Sequence, residues 1–280
     1  MTKKQKISLI ATVLFSLTLL GVVYARHMTS KNGFSVRLKS TILGEDRTLL
    51  IHLPDDYVNS AESYPVLYRF DGNQQLVRKT VSAIRQLSRE TGSAPDMIVV
   101  AIENTYRDRD MWPTHTRYYP ESQALGSTNF LAFIETELIP YIDKQYRTTD
   151  ERIVCGQSLS AVFTLYAFLS KPSLFQSFIA CSGAFPGCEP FFKELSQAAF
   201  QQAAQFEGKK LFITHGLKDP LDPDGTVHRQ MTDFSDLVKN HLGSHTACFY
   251  HIYENEGHVP KNSLKDGLLF LFESGTKGRP

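Results

Sequence analysis

Ile153-Val154-Cys155-Gly156-Gln157-Ser158-Leu159-Ser160-Ala161 is the stretch on which the reading of this chain turns. A short apolar run, Ile153 to Cys155, leads into a serine flanked by small residues, and Leu159 to Ser170 then follows with helical spacing. A strand that bends at once into a helix around an exposed Ser is a nucleophile elbow. The bend is tight enough that the residues two before and two after the Ser must be small. Here they are Gly156 and Ser160. Ser160 stands where the usual pattern has Gly, and adds a hydroxymethyl group where helix and strand pack closely. The competing reading makes Ser158 an ordinary helix N-cap, a position that favours Ser.

Working outward, Phe34 to Leu43 and Arg47 to Leu53 alternate apolar and polar residues around Gly44-Glu45-Asp46, which predicts an antiparallel hairpin. Short apolar runs bounded by turn residues follow: Pro65 to Phe70, Met97 to Ile102, Arg152 to Cys155, Ser177 to Cys181, Lys210 to Thr214 and Ala247 to Tyr253. Such runs read as strands buried on both faces. Between them lie helical spacings at Gln75 to Glu90, Asn129 to Tyr146, Leu159 to Ser170, Phe191 to Phe206, Asp224 to His241 and Ser263 to Phe272. Strand and helix alternate, so the expected architecture is α/β: a mostly parallel central sheet opened by an antiparallel hairpin, with helices on both faces. The irregular stretch Asn104 to Thr128 follows a strand's C-terminal end, where α/β sheets build site walls.

The 280 residues, 42% hydrophobic and 21% charged, suit one large domain over 26–280. A net charge of +1 leaves no electrostatic case for nucleic-acid binding. Lys3, Lys4 and Lys6 precede an uncharged stretch from Ile7 to Ala25, so residues 1–25 read as either a cleaved signal peptide or an uncleaved membrane anchor. Export follows from both. An oxidising destination makes disulfides possible among Cys155, Cys181, Cys188 and Cys248, and of the possible bridges Cys181 to Cys188 is the most plausible. Cys155, Cys181 and Cys248 also fall in apolar runs, where an unpaired Cys acts as a small hydrophobe.

A serine hydroxyl becomes a nucleophile only when a base removes its proton, so a His must come from another loop. His258 follows the last expected strand and precedes the C-terminal helix, the place from which an elbow of this kind receives its base. The alternative is a solvated loop His. The orienting acid should follow the penultimate strand, and Asp219, three residues past Gly216, is the choice, with Asp222, Asp224 and Glu254 as rivals. A developing oxyanion needs at least two preorganised N–H donors. Leu159 supplies one, and Asn73, after the Asp71-Gly72 turn, supplies the other; the plainer reading of Asp71-Gly72 is a simple turn.

At these residues a resemblance emerges, spanning about Phe34 to Phe272. The stretches are Tyr64-Pro65-Val66-Leu67-Tyr68 leading to Asp71-Gly72-Asn73, and Val99-Val100-Ala101-Ile102-Glu103-Asn104-Thr105 leading to Arg107-Asp108-Arg109-Asp110-Met111-Trp112-Pro113. To these add Gly156-Gln157-Ser158 and Gly257-His258 with Ser263-Leu264-Lys265-Asp266-Gly267-Leu268. The chain resembles the esterase D family of α/β-hydrolases, especially its siderophore (enterobactin-type) esterase branch. The resemblance implies a Ser158, His258 and Asp219 catalytic set, no metal and no organic cofactor. The family pattern also implies an Arg at the site mouth, which maps to Arg107.

A guanidinium there suits an anionic or catecholate-bearing ester; equally, Arg107 pairs with Asp108 or Asp110 to pin its loop, the role assigned to Arg109. Trp112, with Tyr106, Tyr118 and Tyr119, either lines an aromatic substrate pocket or packs on its own domain. His241 and His245 have the spacing of a helical metal pair, but Gly243 interrupts them and they read as ordinary polar residues. The expected protein is an exported serine esterase of a small-molecule ester, in the bacterial periplasm or tethered to the membrane there. Its rivals are a carbohydrate-linked acetyl or feruloyl esterase, an acyltransferase on the same fold, and a ligand-binding homologue that has lost catalysis.

Overall fold

Gly33–Ser40 (β1) and Glu45–His52 (β2) form the antiparallel hairpin that their alternation predicts, in register from Gly33 opposite His52 to Ser40 opposite Glu45. The structure is a computed structural model that describes residues 32–185 and 187–272. The leader expected at 1–25 lies outside the described residues. β2 passes the sheet to Ile98–Ile102 (β4), again antiparallel, and every later pairing is parallel. The remaining strands are Tyr64–Arg69 (β3), Thr148–Gln157 (β5), Ser177–Cys181 (β6), Lys209–Gly216 (β7) and Thr246–Tyr253 (β8), in the spatial order β1-β2-β4-β3-β5-β6-β7-β8.

Periodicity of two explains why a helix layer is needed on each side. Leu49, Ile51, Val66, Tyr68, Val100, Val154, Phe178, Ala180, Leu211 and Ile213 share one apolar core. Their chain neighbours Leu50, Leu67, Val99, Ala101, Ile153, Cys155, Ile179, Cys181 and Phe212 share the other. The second core is closed by Gln74–Arg85 (α1), through Val77, Val81 and Ile84, and by the C-terminal helix Ser263–Phe272, through Leu268 and Leu271.

Short helices at Arg107–Met111 (α2), Ser127–Phe133 (α3) and Ile139–Gln145 (α4) come next in the chain, then Leu159–Ser170 (α5), Glu189–Phe200 (α6) and Thr226–Leu242 (α7); the C-terminal helix is α8. The helix expected over 129–146 is divided by a π-turn at Ile134–Leu138. Pro140, which lacks an N–H and would clash with the carbonyl four residues back, accounts for the widening. Strand β5 starts four residues earlier than its apolar run, because Thr148 pairs with Tyr64 across a register shift before the buried segment begins. Among the described residues no helix is long and apolar enough to cross a membrane.

The cysteines resolve the open question of a bridge. All four are free, and Cys181 does not bridge to Cys188. The period of two is the reason: it turns Cys181 into the core under α1 and α8, whereas Cys188 packs in the core on the other face of the sheet.

The chain runs from β3 to β4 on one side and returns to β5 on the other, so β3 and β5 are the adjacent strands where the strand order reverses. A crevice opens at such a point beyond the carboxyl ends of the strands. Four non-glycine residues among those described have positive φ, namely Asp71, Ser158, Ser182 and Val259. The first three each follow a strand of this region by one or two residues, after β3, β5 and β6.

Candidate active site

Ser158 is the single residue between β5 and α5, at φ 55° and ψ −126°. Three hydrogen bonds hold this strained bend: its N–H donates to Cys181 O at the end of β6 (2.9 Å), and its carbonyl accepts from Ala161 N and Val162 N (2.9 and 3.2 Å). The bend brings the helix onto the strand so closely that a Cβ on Gly156 would stand 2.1 Å from Ser160 O. The Ser158 side chain makes no capping hydrogen bond, so the simple N-cap reading does not describe it. The first-turn N–H of Leu159 has no backbone acceptor among the described residues, as expected of a helix N-terminus.

Asp219 and His258 meet. His258 Nδ1 lies 2.6 Å from Asp219 Oδ2, with the carboxylate nearly inaccessible and the imidazole 28% exposed. Asp219 Oδ1 accepts the Leu221 N–H at 2.9 Å, which fixes the carboxylate within its own turn. The two loops are laced together by Leu217 N to Tyr253 O and Lys218 N to Glu256 O, both 3.0 Å. Gly216 permits this: a Cβ there would fall 2.3 Å from Gly257 O. The rivals are engaged elsewhere or turned outward. Asp222 accepts from Val227 N and His228 N at the start of α7 and pairs with His215; Asp224 accepts from Thr226 N; Glu254 is exposed.

Ser158 and the His258 loop come together through β6. Cys181 O accepts the Ser158 N–H, and the next residue, Ser182, accepts the Val259 N–H on its Oγ at 3.1 Å. Two hydrogen bonds and one peptide unit therefore connect the elbow to the residue after His258. No local pattern in the sequence marks Ser182 for this role.

Asp71 is the second residue that the sequence did not single out as more than a turn. Its carboxylate accepts a two-pronged contact from Arg107 (Nε to Oδ1 2.6 Å, Nη2 to Oδ2 2.9 Å), a hydrogen bond from Asn104 Nδ2 (2.7 Å) and one from Ser160 Oγ (2.7 Å). Burial disfavours its charge, but the Arg107 fork and the two further donors outweigh that and hold the carboxyl below the usual carboxylate range. Arg107 thus forms its ion pair with Asp71 rather than with Asp108 or Asp110; Nη2 also reaches Gln157 O at 3.3 Å, and the side chain remains 34% exposed. The hydrogen bond with Asp71 raises the Arg107 pKa further.

Arg109 does pin the loop, binding Asp110 (2.8 Å) and Glu45 (2.6 Å), while Arg47 meets the buried Asp110 at 2.6 Å. Trp112 is only 7% exposed and packs in the core with Met111 and Tyr119, the second of the two readings its sequence allows. Tyr106 and Tyr118 are the exposed rings of this loop. His241 stacks on Phe200 and His245 binds Glu207, as ordinary polar residues do. Asn73 caps α1, its Oδ1 accepting from Leu76 N, and its own N–H has no backbone acceptor among the described residues. Beside the acid turn a cleft of about 600 Å³ opens between Arg117, Tyr118, Gly187, Leu221 and Gln230.

The model of the Esterase family matches residues 40–236. The ferri-bacillibactin esterase BesA of Bacillus subtilis is 32% identical over 178 residues, which cover 57% of this chain and 61% of that protein. The apo-salmochelin esterase of Escherichia coli is 27% identical over 234 residues, covering 75% of this chain and 70% of its own. Among solved structures, an IroE-like serine hydrolase from Shewanella oneidensis superposes with a TM-score of 0.77 at 29% identity, covering 86% of this chain and 80% of that one.

Proposed function

This chain belongs to the Esterase family, and on that footing we propose that it is a serine hydrolase that cleaves carboxylic esters of siderophore type through an acyl-enzyme. Ser158 Oγ attacks the ester carbonyl and its proton passes to His258 Nε2. Asp219, at Nδ1, keeps the imidazole in the tautomer whose Nε2 is free to accept, and balances the imidazolium that forms. The carbonyl oxygen becomes an oxyanion held by the N–H groups of Leu159 and Asn73. Collapse returns the proton from His258 to the departing alkoxide, and a water activated by the same imidazole then releases the acid.

The observation that carries this reading is the 2.6 Å contact between His258 and the sequestered Asp219, in a loop tied through Ser182 to the strained elbow of Ser158. The siderophore class is supported by the two related esterases. The leader read at 1–25 supports export to the periplasm, with or without a membrane tether.

A fluorophosphonate probe tests the chemistry: wild-type protein takes the label and Ser158→Ala does not. Absence of label on the wild type leaves a binding protein without catalysis. Turnover of catecholate-chelator esters, measured beside short acyl, feruloyl and acetylated-sugar esters, tests the substrate class. Faster hydrolysis of the sugar or feruloyl esters replaces the siderophore assignment.

A further inference from the structure

Ser160 occupies the one position where the elbow departs from its usual glycine, and its side chain is fully buried. A hydroxyl withdrawn from water needs partners, and this one has them. Its oxygen accepts the Gln157 N–H at 2.8 Å, and its proton has Asp71 Oδ2 within 2.7 Å and Gln157 O within 2.9 Å. Asp71 belongs to the turn after β3 that carries Asn73. The far side of its carboxylate is gripped by Arg107 and Asn104 from the segment after β4.

That turn is held on both sides. Gly72 donates its N–H to Ile102 O at 2.7 Å and lies so close that a Cβ would meet Ile102 C at 2.7 Å. Asp71 itself has φ 57°, a conformation that costs a non-glycine residue energy and persists only when its surroundings impose it. Asn73 Nδ2 also donates to Asp71 O at 3.3 Å. Leu159, the other oxyanion donor in the proposed mechanism, immediately precedes Ser160.

We infer that the Ser160 hydroxyl and the Asp71 carboxylate, backed by Arg107, form a strut that sets the distance between the N–H groups of Leu159 and Asn73, making Ser160 and Asp71 positioning residues for the oxyanion site. This rests on the esterase reading above. Ser160 in place of glycine is then a working part of the elbow rather than a mark of decay. The strut stabilises the tetrahedral oxyanion more than the bound ester, because only the former draws on both donors at short range.

The full chain and its Ser160→Ala, Asp71→Asn and doubly substituted variants are compared on a p-nitrophenyl ester, with a phenylboronic acid as the probe that adds to Ser158 as a tetrahedral anion. Ser160→Ala introduces no bulk and a better helix former, so folding is retained. Its kcat falls roughly tenfold with KM within about threefold, since full loss of one oxyanion donor costs on the order of a hundredfold or more. Boronate affinity falls by the same factor as kcat. The double variant is no slower than Asp71→Asn alone, the non-additivity of two residues in one network.

Unchanged kcat in Ser160→Ala, or a fall carried by KM with boronate affinity intact, overturns the strut while leaving the esterase standing. No Ser158-dependent turnover by the wild type overturns both. If Asp71→Asn does not fold, Ser160→Ala and the boronate decide the matter.

Discussion

Ser182 and Val259 are joined by a hydrogen bond, Val259 N to Ser182 Oγ at 3.1 Å, and both residues have positive φ, 51° and 54°. Two strained backbones fastened to each other place His258 against the end of β6, whose last carbonyl also holds Ser158. Strain of this kind gathers where function requires one geometry.

Ser182→Ala is therefore expected to act on turnover rather than on folding. The Val259 N–H loses its acceptor, the His258 loop gains freedom, and kcat falls about tenfold, as small misplacements of a reacting group do. The midpoint of thermal unfolding changes by a few degrees at most. Unaltered kcat counts against β6 as the anchor of that loop.

Asp219→Asn keeps the shape of the carboxylate and removes its charge. The amide supports the wrong imidazole tautomer, so kcat is expected to drop about 10³- to 10⁴-fold, with KM little changed. Asp222→Asn, by contrast, touches the start of α7 and His215, and should leave kcat within about threefold while lowering stability by ~1 kcal/mol. Steady-state kinetics on both variants separates the two acids; equal losses would remove Asp219 from its assigned role.

Gly156→Ala adds one methyl group into space already filled by Ser160 O and Thr164 Oγ1. Neither the carbonyl of a helical turn nor the strand can retreat without opening the elbow. A destabilisation of about 3 kcal/mol is expected, or roughly 6–12 °C in unfolding midpoint for a chain of this size. Calorimetry checks it, and a midpoint equal to wild type would mean that the bend is looser than described.

His215, buried beneath the acid turn, has its pKa pulled down mainly by burial, against the opposing pull of Asp222 and Asp219. His52 is lowered for the same first reason. Below the unfolded-state value of about 6.5 the unfolded chain binds protons that the folded chain does not, so stability falls as pH falls through and beneath 6.5 and is fully present above it. Denaturant unfolding at pH 7.5 and 5.5 should show that loss, and His215→Gln should diminish it. Equal pH dependence in the variant assigns the loss to other groups.

The alternation of β1 and β2, the buried runs of β3 to β8 and the helices between them are written in hydrophobic period, which acts over a few residues and needs no knowledge of distant ones. Helix α5 is legible from Leu159 to Ser170 for that reason. Chain order likewise singles out Ser158, Asp219 and His258, since each follows a strand whose end is set by local pattern. The interior of Asn104 to Thr128 is not legible in this way: α2 is one turn long, and its position depends on Arg47 and Glu45 reaching Asp110 and Arg109 from the hairpin.

Tertiary structure alone decided the rest. Whether Arg107 pairs within its own loop or with Asp71, whether Trp112 faces a pocket or the core, and on which face of the sheet Cys181 and Cys188 lie are questions about pairs distant in sequence. Local propensity carries no information about such partners, because their energy comes from burial and charge pairing that exist only once the sheet has formed. The sequence by itself determined the order of elements and the chemical types available at the strand ends; folding determined which of those groups meet, and at what distance.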